Sequence, residues 1–252
     1  MNNPSLVKTL TRLNVVKTNE AKPPCVVIYG PPKIGKTTFA ANSDKPIFLC
    51  TEDGLGQQTV DHFPLITSYD QVIDHIDALV QEDHEYRTVI LDSLDWLENI
   101  IWSKVAEDHG KRCIEDIGFA KGYIFALNYW REILNGFSYL RNNKGMIVVL
   151  IAHSQIKPFN SPLTEPYDQF SLKMHDKARA VVEEWADCIL FAGYKIVTRG
   201  DKSKGDHVRA IGSGERILYT TSRPGFIAGN RFNLPPEMPL LWDTFIKAIG
   251  NE

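Results

Sequence analysis

The chain has 252 residues, 43% of them hydrophobic, and a formal net charge of −3. That length and apolar content suit one large core, which favours a single α/β domain with a decorated C-terminal part over two full domains. The slightly acidic balance excludes a surface that attracts polyanions throughout, so any nucleic-acid contact must come from a local patch. The longest apolar run, Met146 to Ala152, is far too short to span a bilayer, and the N-terminus carries no secretory signal pattern. The cysteines at 25, 50, 113 and 188 show no C-x-x-C spacing, which reads as free thiols in a reducing compartment. A cytoplasmic protein without a membrane partner is expected.

Residues 1–22 are polar, with Leu6, Leu10 and Leu13 at helical spacing. They read as an N-terminal arm, either loosely packed or docked on a neighbouring subunit. Cys25-Val26-Val27-Ile28-Tyr29 follows as a short apolar run, the pattern of a buried strand. It leads into Gly30-Pro31-Pro32-Lys33-Ile34-Gly35-Lys36-Thr37, which fits G-x-x-x-x-G-K-[ST]. Lys36 to Ala41 can open a helix, so strand, glycine loop and helix stand in the order a phosphate-binding loop requires. Glycines at 30 and 35 let backbone N–H groups curl inward, and a helix N-terminus adds partial positive charge. Lys36 supplies a point charge to the β/γ-phosphates, and the Thr37 hydroxyl is placed to ligate Mg²⁺. Gly30, Pro31, Pro32, Lys33, Ile34, Gly35, Lys36, Thr37 and Thr38 are the candidate nucleotide-binding residues.

Lys45 to Cys50 reads as a second strand ending in Thr51-Glu52-Asp53-Gly54. Carboxyl ends of strands face the ligand crevice in open α/β sheets. Glu52 is therefore a candidate base for an attacking water, or a turn carboxylate. Pro64 to Thr67 is a short strand candidate, and Tyr69 to Val80 is helical with Val72, Ile73, Ile76 and Leu79 on one face. Thr88-Val89-Ile90-Leu91-Asp92-Ser93 is an apolar strand closing on a carboxylate about 55 residues after Lys36. Asp92 is expected to complete the Mg²⁺ shell with Thr37.

Helices are predicted over Leu94 to His109 and Phe119 to Arg141, the latter carrying an aromatic stripe that reads as core. Met146 to Ala152 is the next buried strand, ending in His153-Ser154-Gln155. Gln155 is expected to bond the γ-phosphate or the water. Residues 156–175 read as a long connection with interleaved aromatics and cations, suited to single-stranded nucleic acid, to a lid, or to packing on the domain. Lys177 to Trp185 is helical and Asp187 to Val197 a strand. From Lys195 to Arg223 seven Lys/Arg face three acids, the best candidate basic patch, with a hairpin tip at Gly200 to Gly205 and strands near Val208–Ile211 and Arg216–Thr221. A helix over Leu240 to Ile249 closes the chain.

Gly30–Thr37, Glu52, Val89-Ile90-Leu91-Asp92-Ser93 and the Gln155 strand tip together resemble the RecA-type recombinase core in order and spacing. Ile151-Ala152-His153-x-Gln155, Ala186-Asp187-Cys188-Ile189-Leu190 and Gly229-Asn230-Arg231-x-x-Leu234-Pro235 resemble the small phage ATPases of the Sak type. The resemblance covers roughly residues 23–235. It implies a RecA-like P-loop core over 23–252, a mostly parallel sheet flanked by helices with a C-terminal β-hairpin extension whose basic part spans about 195–223.

The implied activity is Mg²⁺-dependent ATP hydrolysis with single-stranded DNA binding and annealing or recombination. The chain would act as a homo-oligomer, ring or filament, with a single-stranded DNA-binding protein as a further partner, in the host cytoplasm if phage-encoded. By the same resemblance Glu52 is the catalytic base, Gln155 couples the γ-phosphate to the following loop, and Arg231 reaches a neighbour's nucleotide, with Arg223 as rival. The usual Asn-Gln pair at the sensor strand is replaced by His153-Ser154-Gln155, and the large lobes of full recombinases are absent, which favours annealing over strand exchange. A loader or switch acting on a replication partner is the alternative, and a nucleotide kinase ranks below both.

Overall fold

The computed structural model describes residues 22–199 and 209–250. The N-terminal arm and the 200–205 hairpin tip anticipated from sequence lie outside them, as does most of the basic stretch between the two strands. β1 (Cys25–Gly30), β2 (Pro46–Cys50), β3 (Asp61–His62), β4 (Thr88–Asp92), β5 (Ile147–Phe159) and β7 (Cys188–Arg199) form a parallel block in the order β7-β1-β5-β4-β2-β3. Four antiparallel strands extend it: β6 (Tyr167–Leu172) on β5, β8 (Arg209–Tyr219) and β9 (Gly229–Asn230) on β7, and β10 (Glu237–Pro239) on β8.

The central strands are apolar on both faces, as a sheet covered by helices on both sides demands. In β1, Cys25, Val27 and Tyr29 pack toward α2 (Tyr69–Gln81), α3 (Leu94–Asp108), α4 (Lys121–Asn143) and α5 (Asp176–Trp185). Val26 and Ile28 pack toward α1 (Lys36–Ala41) and α6 (Trp242–Ile249), where Phe39, Trp242 and Phe245 meet. The α4 stripe is core, with Trp130 and Phe137 fully buried. Ser68 caps α2 in a reciprocal capping box with Gln71.

Three expectations are corrected. Pro64 to Thr67 is not a strand. The edge strand is Asp61–His62, and the following segment keeps only isolated backbone bonds to β2, such as Ile66 N–H to the Cys50 carbonyl at 2.8 Å. Proline cannot donate to a ladder, so pairing stops before it. Residues 156–175 are not a loop either: β5 runs on to Phe159 and turns back as β6, pairing from Ser154–Leu172 to Phe159–Tyr167. The two short strands expected near 208–211 and 216–221 are one strand, β8, with a register shift opposite Tyr194–Ile196.

Candidate nucleotide site

The site forms at the C-terminal ends of β1, β2 and β4 and at His153, where β5 stops pairing with β1. Gly30 ends β1 where the chain lies against β7; a Cβ there would sit 2.2 Å from the Ala192 carbonyl oxygen, so only glycine fits. Ile34, fully buried, anchors the middle of the loop. Gly35 adopts φ +111°, a left-handed backbone that brings the chain round into α1. Lys36 follows directly, 5% exposed, and its ammonium donates to the carbonyls of Gly30 and Pro31, each at 3.0 Å. Burial pushes the Lys36 pKa down, opposed by the nearby carboxylates of Asp92, Asp95 and Glu52. A polyphosphate would supply the negative charge this lysine lacks.

Thr37 Oγ1 donates to Asp92 Oδ2 at 2.8 Å, tying the loop to the end of β4. Asp92 is 5% exposed; burial raises its pKa, and the Thr37 bond works against that. The donor set is hard oxygen, hydroxyl plus carboxylate. Among the described residues no group of three His, Cys, Asp or Glu side chains forms a dedicated metal cage. That chemistry fits Mg²⁺, which takes one or two protein oxygens and completes its shell from phosphate and water.

Glu52, just beyond β2, accepts a hydrogen bond from Ser93 Oγ at 2.8 Å. Ser93 is itself pinned, its N–H donating to Thr51 Oγ1 and its carbonyl accepting from the same hydroxyl, both at 2.8 Å. Glu52 is thus held beside Asp92 by the chain that follows β4. His153, midway along β5, completes the wall; its Nδ1 lies 3.0 Å from Asp95 Oδ2 and 4.0 Å from Glu52 Oε1. Lys33, Lys36, Thr37, Glu52, Asp92, His153 and Arg216 surround one cavity of about 520 Å³.

Three sequence expectations meet a different arrangement. Gln155 does not line this cavity: its amide donates to the carbonyls of Leu172 (2.7 Å) and Met174 (3.2 Å), which the pairing of β6 with β5 brings beside it. Arg231 sits at the other end of the sheet, its Nη1 2.9 Å from Asp187 Oδ1, where Asp187 also takes Arg141 and the Cys25 N–H at the first residue of β1. Asp187 is 6% exposed and also keeps Arg141 at 2.7 Å, whereas the Arg231 side chain is 63% exposed, the outer partner of this carboxylate. Arg223 is paired with Glu237 at 2.7 Å and stacks on Tyr219. Sequence reading missed His153–Asp95 and Arg216. Asp95 was visible only as a second acid after Asp92, and Arg216 only as one cation in a basic run.

A family model described as an AAA domain matches residues 22–232. The chain belongs to this AAA-domain family. No curated protein matches it. Among solved structures it is similar to the RadB recombinase crystal structure, at 14% identity and a TM-score of 0.45, covering 82% of this chain and 86% of that one. This AAA-domain protein carries the family's nucleotide-binding unit on a mostly parallel sheet flanked by helices. No described helix is long and apolar enough to cross a membrane.

Proposed function

We propose that this AAA-domain protein is a Mg²⁺-dependent ATPase that binds single-stranded DNA and promotes annealing or recombination, as the small phage ATPases it resembles would. The observation that carries the reading is the 2.8 Å contact between Thr37 and Asp92 beside a buried Lys36, which brings two distant sequence motifs onto one cavity. Lys36 exchanges its contacts with the loop carbonyls for phosphate oxygens. Thr37 and Asp92 would hold Mg²⁺, which when bound would supply charge neutralisation at the phosphates. Glu52, oriented by Ser93, takes the proton of the attacking water. His153 faces the same cavity and donates to the terminal phosphate.

DNA binding is assigned to the β5–β6 hairpin. β5 passes from the cavity wall at His153 into the hairpin without a break. The hairpin exposes Ile156 and Phe159, with Leu163 in its turn 90% exposed and Lys157 alongside. Apolar and aromatic groups beside cations suit stacked bases and phosphates. A change at the terminal phosphate therefore has a covalent route to the hairpin.

The test is ATP hydrolysis with and without single-stranded DNA, with Glu52→Gln as control. Stimulation by DNA that disappears in the variant supports the reading. Stimulation by a replication protein but not by DNA, with no DNA binding at low salt, moves the protein to the loader or switch class.

A further inference from the structure

We propose that Arg216 is the arginine of the nucleotide site and that it acts within its own protomer. The inference rests on the nucleotide reading above and adds a residue, and a mode of action, to it. Arg216 lies on β8, opposite Tyr194 of β7 and just beyond the register shift between Tyr194 and Ile196. On its other side its backbone carbonyl accepts the Leu240 N–H at 3.2 Å, so the main chain at Arg216 is held from both neighbours. From there the side chain reaches across to the phosphate loop. A Cβ built on Gly35 would stand 3.1 Å from Arg216 Nη1. A side chain there would press the guanidinium aside by a few tenths of an ångström.

The guanidinium borders two cavities. One is the phosphate cavity with Lys36, Thr37 and Asp92. The other, about 580 Å³, lies against Phe39, Asn42 and Leu240. Arg216 is exposed, and among the described residues it takes no ion pair, whereas Arg223, Arg231 and Arg141 are each bound to a carboxylate. It is thus a cation without an ion pair among the described residues, on a cavity it shares with Lys33, Lys36 and the carboxylates of Glu52 and Asp92. A guanidinium offers five donors in a planar fork that matches phosphate oxygens. The ligand class is the phosphate chain of a nucleoside triphosphate already seated on the loop. No arginine from a second copy is then needed to complete the site.

The test uses the full-length protein and a fluorescent ATP analogue. Arg216→Ala should weaken binding by about tenfold to a hundredfold, the range for losing a charged hydrogen bond, with Arg216→Lys in between. Circular dichroism melts are run on both variants, since an exposed side chain should leave the fold intact. Unchanged affinity in Arg216→Ala overturns the proposal. Absence of binding by the unaltered protein overturns the nucleotide reading itself, a different result. A second arm separates the modes: Arg216→Ala is mixed with Lys36→Ala, and hydrolysis is followed. Recovery of activity in the mixture would mean that the arginine acts across an interface and would overturn the cis assignment. No recovery, together with weakened binding, supports it.

Discussion

Asp95 holds His153 at two points, accepting its backbone N–H at 3.1 Å and lying 3.0 Å from its imidazole Nδ1. An ionised carboxylate only accepts, so Nδ1 carries the proton and Nε2 is left for the cavity. The hydrogen bond and charge of Asp95 hold the His153 pKa above its ordinary value against the opposing effect of burial. Burial alone would raise the Asp95 carboxyl, but its bonds to His153 bring it below the ordinary range. Asp95→Asn should therefore lower the His153 pKa, read from the imidazole proton shifts in an NMR titration. Because the raised histidine stabilises the fold below its unfolded pKa and loses that effect as pH rises through its folded value, the variant should lose more stability near about pH 6 than near about pH 9. An unmoved titration curve would remove Asp95 from this role.

Lys36 and Glu52 should separate binding from turnover. Lys36→Ala removes the only buried ammonium on the phosphate cavity among the described residues, and should cost about a hundredfold or more in nucleotide affinity. Glu52→Gln keeps the shape and a Ser93 contact but cannot take a proton, so affinity should hold while turnover drops by about 10²–10⁴-fold. Equilibrium titration beside steady-state hydrolysis distinguishes the two.

Asp187 and Arg231 are predicted to matter for stability. Asp187→Ala strands Arg141 and the Cys25 N–H in a part-buried setting and should cost about 3 kcal/mol or more. Arg231→Ala, whose side chain is 63% exposed, should cost only about 0–1 kcal/mol and leave hydrolysis in place. Denaturant melts and an ATPase assay on both variants check this. Loss of turnover in Arg231→Ala at unchanged stability would restore it as a finger.

Glu98 gives a pH signature away from the cavity. It is 4% exposed, and burial pushes its carboxyl up to about 7 even though it accepts the His175 N–H at 3.0 Å. The unfolded chain has the ordinary value of 4.5, so the folded state binds the extra proton between these values. Ionised Glu98 thus lowers stability above about pH 7, and the cost fades as pH falls toward 4.5. Glu98→Gln should raise the melting temperature at about pH 8, by an effect of order 1–3 kcal/mol, and change it little at about pH 5. A gain that is equal at both pH values would argue against a titrating carboxyl.

Most of the parallel core was legible because it is written locally. Val26-Val27-Ile28 and Val89-Ile90-Leu91 are continuous apolar runs, and only a strand covered on both faces needs that pattern. The α4 stripe announced a buried helix face by its spacing alone. The β5–β6 hairpin was missed because Lys157, Pro158 and the polar turn residues break the alternation that marks a strand, while the pairing that makes it one joins residues as far apart as Ser154 and Leu172. The edge strand was misplaced by a few residues because a two-residue bridge has no periodicity to read.

The phosphate loop, with its strand before and helix after, was determined by sequence alone, because the residues that shape it are neighbours in the chain. So was the expectation that Asp92 would join Thr37, since both end or follow apolar strands that a parallel sheet must align. Which polar residues face the cavity was decided only by tertiary structure. His153 and Gln155 are two positions apart on one strand, yet the imidazole lines the cavity while the amide is tied to Leu172 and Met174, partners that the β5–β6 pairing brings to it. Arg216 and Arg231 are both arginines near turns, and nothing local distinguishes them. One is carried by β8 to within reach of Gly35, and the other is drawn to a buried aspartate at the far end of the sheet. Long-range strand order decides that difference, and it is a property of the whole sheet rather than of any segment.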